Sequence, residues 1–180
     1  MKSKNKHDTL IDFITGTEVP DIGAESNRQA FEKILVNLKG FAKADIEVNV
    51  PLNLVVGGAP YHARVDLVIC VDGRRMMAVK CAAGSLGSRE REILAAARLL
   101  ESYQIPVSVV SDGWEAVVLD TVSGNKIGEG IEAIPSKETL SGIMKESVWT
   151  AFPEKRLERE KLIFRTYDQE NVNILKELPR

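Results

Sequence analysis

The segment RVDLVICVDGRRMMAVKC, residues 64–81, decides how this chain folds. Two apolar runs flank Asp72-Gly73, and Asp-Gly between such runs is the strongest short-range signal for a β-hairpin. Each run carries a charge that a plain core strand would not. Asp66 stands inside Val65-Asp66-Leu67-Val68-Ile69, and Lys80 ends Met76-Met77-Ala78-Val79-Lys80. A charge in such a place needs a partner, a metal or a hydrogen-bond network.

Whether the two charges meet depends on the turn. A two-residue Asp72-Gly73 turn pairs Val71 with Arg74, sets Asp66 opposite Val79 and sends Lys80 to the other face. A three-residue loop over residues 71–73, with Gly73 left-handed, pairs Cys70 with Arg74 and places Asp66, Ala78, Lys80 and Ala82 on one face. Together, a carboxylate and a lysine at a sheet edge suit phosphodiester hydrolysis. The carboxylate side holds a Mg²⁺ that generates or orients hydroxide, and the lysine supports the attacking water or the scissile phosphate. They equally suit an Asp–Lys ion pair with no chemistry, which is the commoner arrangement.

Outward from the hairpin, residues 24–39 carry apolar side chains at helical spacing (Ala30, Phe31, Ile34, Leu35, Leu38), with Gly40 as a stop. Residues 46–50 alternate as a half-buried strand, and residues 55–60 read as a strand end and turn. A second helix is predicted over residues 88–102, capped by Ser88. Residues 107–110 and 116–119 are two further strands around Asp112-Gly113, residues 125–130 an edge strand, and residues 137–148 and 154–168 the last helices. Residues 10–14 form a short helix or an extended arm. Residues 1–9 are a disordered tail, and residues 10–180 one domain. The fold class is α/β, a central mixed sheet flanked by helices.

With 180 residues the chain has length enough for one domain with a sizeable core. Its apolar runs are too short to span a bilayer, and the basic N-terminus has no apolar core behind it, so neither membrane nor secretory signal is expected. Two cysteines exclude a disulfide framework and fit a reducing cytoplasm. A net charge of −2 does not support tight stand-alone binding to DNA, although a local basic face is compatible with it.

Several segments, in order, resemble the N-terminal domain of type I restriction enzyme R proteins, a branch of the PD-(D/E)XK nucleases. They are Asp12-Phe13-Ile14-Thr15-Gly16 through Val19-Pro20-Asp21, the trio Glu25, Arg28 and Gln29, Lys39-Gly40-Phe41, Ile46-Glu47-Val48, Arg64-Val65-Asp66-Leu67-Val68, Ile105-Pro106-Val107 and Ser111-Asp112-Gly113. The resemblance implies a restriction-endonuclease-like sheet, and it favours the three-residue loop. It also implies a Mg²⁺ site, with Mn²⁺ as substitute, and a nucleic-acid partner, DNA in the first instance.

The chain departs from the family where the chemistry lies. The third strand of these proteins ends in Glu-x-Lys. Here one alignment puts Lys80 at the glutamate and Ala82 at the lysine, and a shift by two keeps Lys80 as the lysine with Ala78 at the glutamate. A carboxylate is missing either way. Glu92, on the next helix where the family often carries glutamine, is the candidate replacement and second metal ligand beside Asp66. Its plainer role is a solvated first-turn glutamate. Glu25 resembles the superfamily's auxiliary acid. His62 is a surface histidine or a phosphate contact, Cys70 and Cys81 are ordinary thiols, and Trp114 and Trp149 are expected to pack.

Three functions follow as expectations. The favoured one is a degenerate nuclease-like domain, inactive or strongly modified and associated with nucleic acid. The alternatives are an active Mg²⁺-dependent endonuclease using Asp66, Glu92, Lys80 and Glu25, and a protein-interaction module. With no helicase motifs in the chain, a partner protein would have to supply motor or specificity.

Overall fold

The computed structural model describes residues 8–172, so residues 1–7 of the tail expected to be disordered over residues 1–9, and the last eight residues, lie outside the described residues, while Thr9 already belongs to a strand. The strands are β1 (Thr9–Ile11), β2 (Glu18–Pro20), β3 (Ile46–Val56), β4 (Ala59–Val71), β5 (Arg74–Cys81), β6 (Val107–Ser111), β7 (Ala116–Asp120) and β8 (Lys126–Glu129). The helices are α1 (Glu25–Leu38), α2 (Glu90–Leu99), α3 (Lys137–Glu146) and α4 (Glu154–Val172). β3 to β8 form one mixed sheet in chain order, and β1 and β2 pair separately as an extended arm. Within the large sheet only β5 and β6 run parallel. Helix α2 is their crossover, because parallel neighbours cannot be joined by a tight turn.

The sheet is covered on both faces. On one side Phe31 and Leu35 of α1 and Leu140 of α3 pack over Leu67, Ile69, Val79 and Val109. On the other, Ile93, Ala96 and Ala97 of α2 and Phe164 of α4 pack over Val68, Ala78 and Val110. Phe31 is fully buried and Phe164 nearly so, each contributing about 2–3 kcal/mol relative to an exposed ring.

The central hairpin corrects the expected turn. Val71 pairs with Arg74, and Asp72 and Gly73 both have positive φ, 48° and 74°, so the turn has two residues rather than three. By itself that would send Lys80 away from Asp66. A bulge cancels the error: Cys70 pairs with Arg75 but Ile69 pairs with Met77. The extra residue, Met76, shifts the register by one and brings Lys80 opposite Asp66. Met76 and Met77 are accordingly both buried in the layer under α1. The shared face expected from the other turn is therefore reached by a different route.

Other elements differ in detail. β3 runs on to Val56 through Pro51, which an edge strand tolerates because one side of it needs no ladder bond. The turn after it is Gly57-Gly58. The second helix begins at Glu90 after a single 3-10 turn over Gly87–Arg89. Ser88 does not cap it, because its hydroxyl donates back to the Ser85 carbonyl.

Asn49 introduces a second irregularity. It lies between the pairs Val48↔Leu67 and Val50↔Val65, with φ of 53°. Leu67 and Val48 pack toward α1, whereas Val50 and Val65 pack toward α2 and α4. The outer half of the β3–β4 ribbon thus turns over at Asn49 and Asp66 and lies against α4.

Candidate functional site

Asp66, Lys80 and Glu92 meet at the end of β5. Oδ2 of Asp66 accepts a hydrogen bond from the Cys81 main-chain N–H at 2.7 Å and lies 3.5 Å from Lys80 Nζ. Lys80 Nζ is 3.1 Å from Glu92 Oε1, and Arg89 Nη1 is 3.3 Å from Glu92 Oε2. Arg89 also donates to the Tyr167 carbonyl on α4 at 3.3 Å. Glu92 is 3% exposed and therefore not the solvated first-turn residue of its plainer description. Burial works against the charge of Lys80, but Asp66 and Glu92 outweigh it and hold the ammonium above the ordinary lysine range.

The ammonium stands between the two carboxylates, where a cation shared by them would have to sit. Among the described residues no group of three or more His, Cys, Asp or Glu side chains is arranged to hold a metal ion. In this arrangement the residues do not fit a divalent ion, since Asp66 and Glu92 are already compensated by Lys80 and Arg89.

Glu25 lines the same cleft as Asp66. Its carboxylate takes Arg28 Nη2 at 2.5 Å and Gln29 Nε2 at 2.7 Å. Arg28, itself buried, also reaches Asp12 at 2.8 Å and Glu32 at 2.6 Å. Gln29 Oε1 accepts the Phe13 N–H at 2.7 Å, and Asp12 accepts the N–H groups of Ile14 and Thr15. The Glu25, Arg28, Gln29 trio therefore clamps the N-terminal arm to α1. Sequence reasoning missed Glu32, which is fully buried with Oε2 unpartnered among the described residues. The signal was present: it falls four residues after Arg28, on the face that carries Phe31 and Leu35.

The cleft holds about 740 Å³ and is lined by Arg28, Arg64, Lys80 and Arg89 against Glu25 and Asp66, with Asn49 on its β3 wall. Arg28 is held by Asp12, Glu25 and Glu32, and Lys80 and Arg89 by Asp66 and Glu92, so the exposed Arg64 is the basic group of this lining outside those pairs. Arg89 and Asn49 were not singled out by the sequence. His62 does not line the cleft; it is exposed, with Nδ1 2.7 Å from Asn53 Oδ1. Cys70 donates to Glu47 at 3.1 Å, and burial first, then Glu47, pushes its thiol up to about 12. Burial also pushes the Cys81 thiol well up, which disfavours the reactive thiolate form in both. Trp149 packs edge-on against Tyr103 with Arg74 over its ring. Trp114 does not pack as expected: it is 79% exposed, on a turn tied by Asp112 and Ser111.

None of the described helices is long and apolar enough to cross a membrane. Neither the curated proteins nor the solved structures yield a match. A family model, the type I restriction enzyme R protein N terminus (HSDR_N), matches residues 23–135. That stretch is more than half of the chain and contains α1, the β3–β4–β5 hairpins, α2 and the whole Asp66–Lys80–Glu92 cluster, and the chain belongs to this family of restriction enzyme R-protein N-terminal domains.

Proposed function

We propose that this chain is a nuclease-like domain that has exchanged its metal centre for an internal ion bridge, and that it holds nucleic acid in its cleft without cutting it. The carrying observation is Lys80 Nζ between Glu92 at 3.1 Å and Asp66 at 3.5 Å. The residue facing Asp66 on β5 is the one best placed to share a metal with it, and that residue is a lysine. This favours the alignment in which Lys80 replaces the glutamate of a PD-(D/E)XK motif and Ala82 replaces its lysine. The exposed Arg64 on the cleft wall supports contact with phosphates, DNA being the first candidate. Family membership supports the same direction, and a partner protein would supply motor or sequence specificity.

The competing reading is an active Mg²⁺-dependent endonuclease in which Glu92 is a migrated ligand. It requires Glu92 to leave both Lys80 and Arg89. Calorimetry with Mn²⁺ and Mg²⁺ on wild type, Asp66→Asn and Glu92→Gln decides between them, alongside plasmid cleavage and anisotropy with labelled DNA over a salt series. The proposal expects no metal binding below millimolar concentration, no cleavage, and DNA affinity that falls steeply with salt. Metal binding lost in both variants, with plasmid nicking, would establish the enzyme instead. Absence of any salt-dependent DNA binding would leave a protein-interaction module.

A further inference from the structure

Asn49 is set apart by three observations. It lines the cleft from β3. Its neighbours' register, Val48↔Leu67 and Val50↔Val65, places it across from Asp66, so Asn49, Asp66 and Lys80 form one row over three strands. Its backbone is left-handed in the middle of a strand, at φ of 53°.

The fold explains the kink, because the β3–β4 ribbon turns over at this point to reach α4. It does not explain the asparagine. A kink needs only a residue that accepts positive φ, and glycine does so at least steric cost. Elsewhere most such positions are glycine, Gly57 and Gly58 in the β3–β4 turn among them, with Asp72 in the β4–β5 turn the other exception. At Asn49 it instead keeps an exposed carboxamide that, among the described residues, is not taken up by a hydrogen bond. Arg64, two residues before Asp66 on β4 and paired with Pro51 on β3, lines the same cleft. An exposed amide donor and a guanidinium lining one cleft suit phosphodiester oxygens.

We infer that Asn49 is a phosphate-binding residue of the cleft, its carboxamide N–H₂ donating to a backbone phosphate of the bound nucleic acid. The inference rests on the nucleic-acid reading above. It makes the left-handed asparagine a place where backbone strain is retained for binding.

The test uses the full chain and two variants. Asn49→Gly keeps the backbone and removes the amide. Asn49→Asp keeps size and left-handed tolerance but replaces the donor with a negative acceptor. Binding is read by anisotropy with labelled single-stranded and duplex DNA at low salt, and stability by thermal melting. The expected result is a melting temperature for Asn49→Gly equal to or above wild type, with affinity about 10-fold weaker. Asn49→Asp should weaken binding further with little change in melting. If wild type binds DNA and both variants bind equally well, the Asn49 assignment falls and the nucleic-acid reading stands. If Asn49→Gly melts below wild type, the asparagine is kept for stability and the assignment is overturned. If wild type binds no DNA at low salt, the nucleic-acid reading fails and the assignment fails with it.

Discussion

Lys80 Nζ lies 3.1 Å from Oε1 of Glu92, which is 3% exposed beneath the first turn of α2. Each charge is sustained by the other, since breaking a buried pair from one side leaves an uncompensated charge. Lys80→Met should therefore lower stability at neutral pH by about 3–5 kcal/mol. It should also expose Asp66 and Glu92 to outside cations. Thermal melting with and without Mn²⁺ should show a rise for the variant and none for wild type. Equal responses from both proteins would remove the claim that Lys80 stands in for a metal.

Glu32 gives a pH dependence of known sign. Burial pushes its carboxyl up to about 7, Asp12 and Glu25 push the same way, and Arg28 at 2.6 Å only partly opposes them. The folded state then binds a proton that the unfolded chain, with its value near 4.5, does not hold. That contribution to stability is complete below the unfolded value and is lost as pH rises toward about 7, by roughly 1–3 kcal/mol. Glu32→Gln should gain on wild type between pH 5 and pH 8 in urea denaturation. Parallel curves would mean that Glu32 ionises normally.

Gly113 separates two glycine roles. It has φ of 90°, and a Cβ there would lie 2.9 Å from the Asn27 carbonyl oxygen and 3.0 Å from the Ala30 Cβ. Gly113→Ala should cost about 2 kcal/mol or more, combining strain and a clash with α1. Gly142, inside α3, has open space around its Cβ position, and Gly142→Ala should stabilise by about 0.5–1 kcal/mol. Denaturant midpoints of the two variants should move in opposite directions.

Arg98 and Glu160 join α2 to α4 at 2.8 Å, both nearly inaccessible, and Arg91 grips the same carboxylate. Glu160→Ala should destabilise by about 3–5 kcal/mol, while the paired change Arg98→Met with Glu160→Leu should recover most of the loss. Chemical denaturation of the three proteins checks this. A pair variant as weak as the single one would mean that the guanidinium is needed for its other bond, to the Thr121 carbonyl.

Much of this was legible in the chain. Asp72-Gly73, the alternation of β3 and the helical spacing of α1 and α2 are local signals, and each element formed where its pattern stood. The register of the central hairpin was not legible. Turn chemistry alone gave two answers, and the structure chose a turn that taken alone gives the wrong face, then corrected it with Met76. The bulge had no local signature, since it seats two adjacent methionines, Met76 and Met77, in the same core layer. The meeting of Asp66 with Lys80 and Glu92 was proposed from motif positions, but its character as a closed ion bridge depends on Arg89, whose role follows from α4 packing beside α2. The partners of Glu25 were not legible for a related reason. Its partner Arg28 also serves Asp12 on an arm whose path the sequence left open.

That arm bears on where the protein can be cut. The family match begins at Gly23 and ends at Pro135, yet Asp12 lies before it and Leu140, Glu160 and Phe164 lie after it. A fragment trimmed to the matched residues would strip Arg28 of the Asp12 carboxylate and Arg98 of the Glu160 carboxylate, and uncover the apolar faces beneath α3 and α4. Segments outside the recognisable motif thus supply counter-charges and apolar cover for residues within it, and a piece cut to the bounds by which the family is recognised should be less stable than the whole chain.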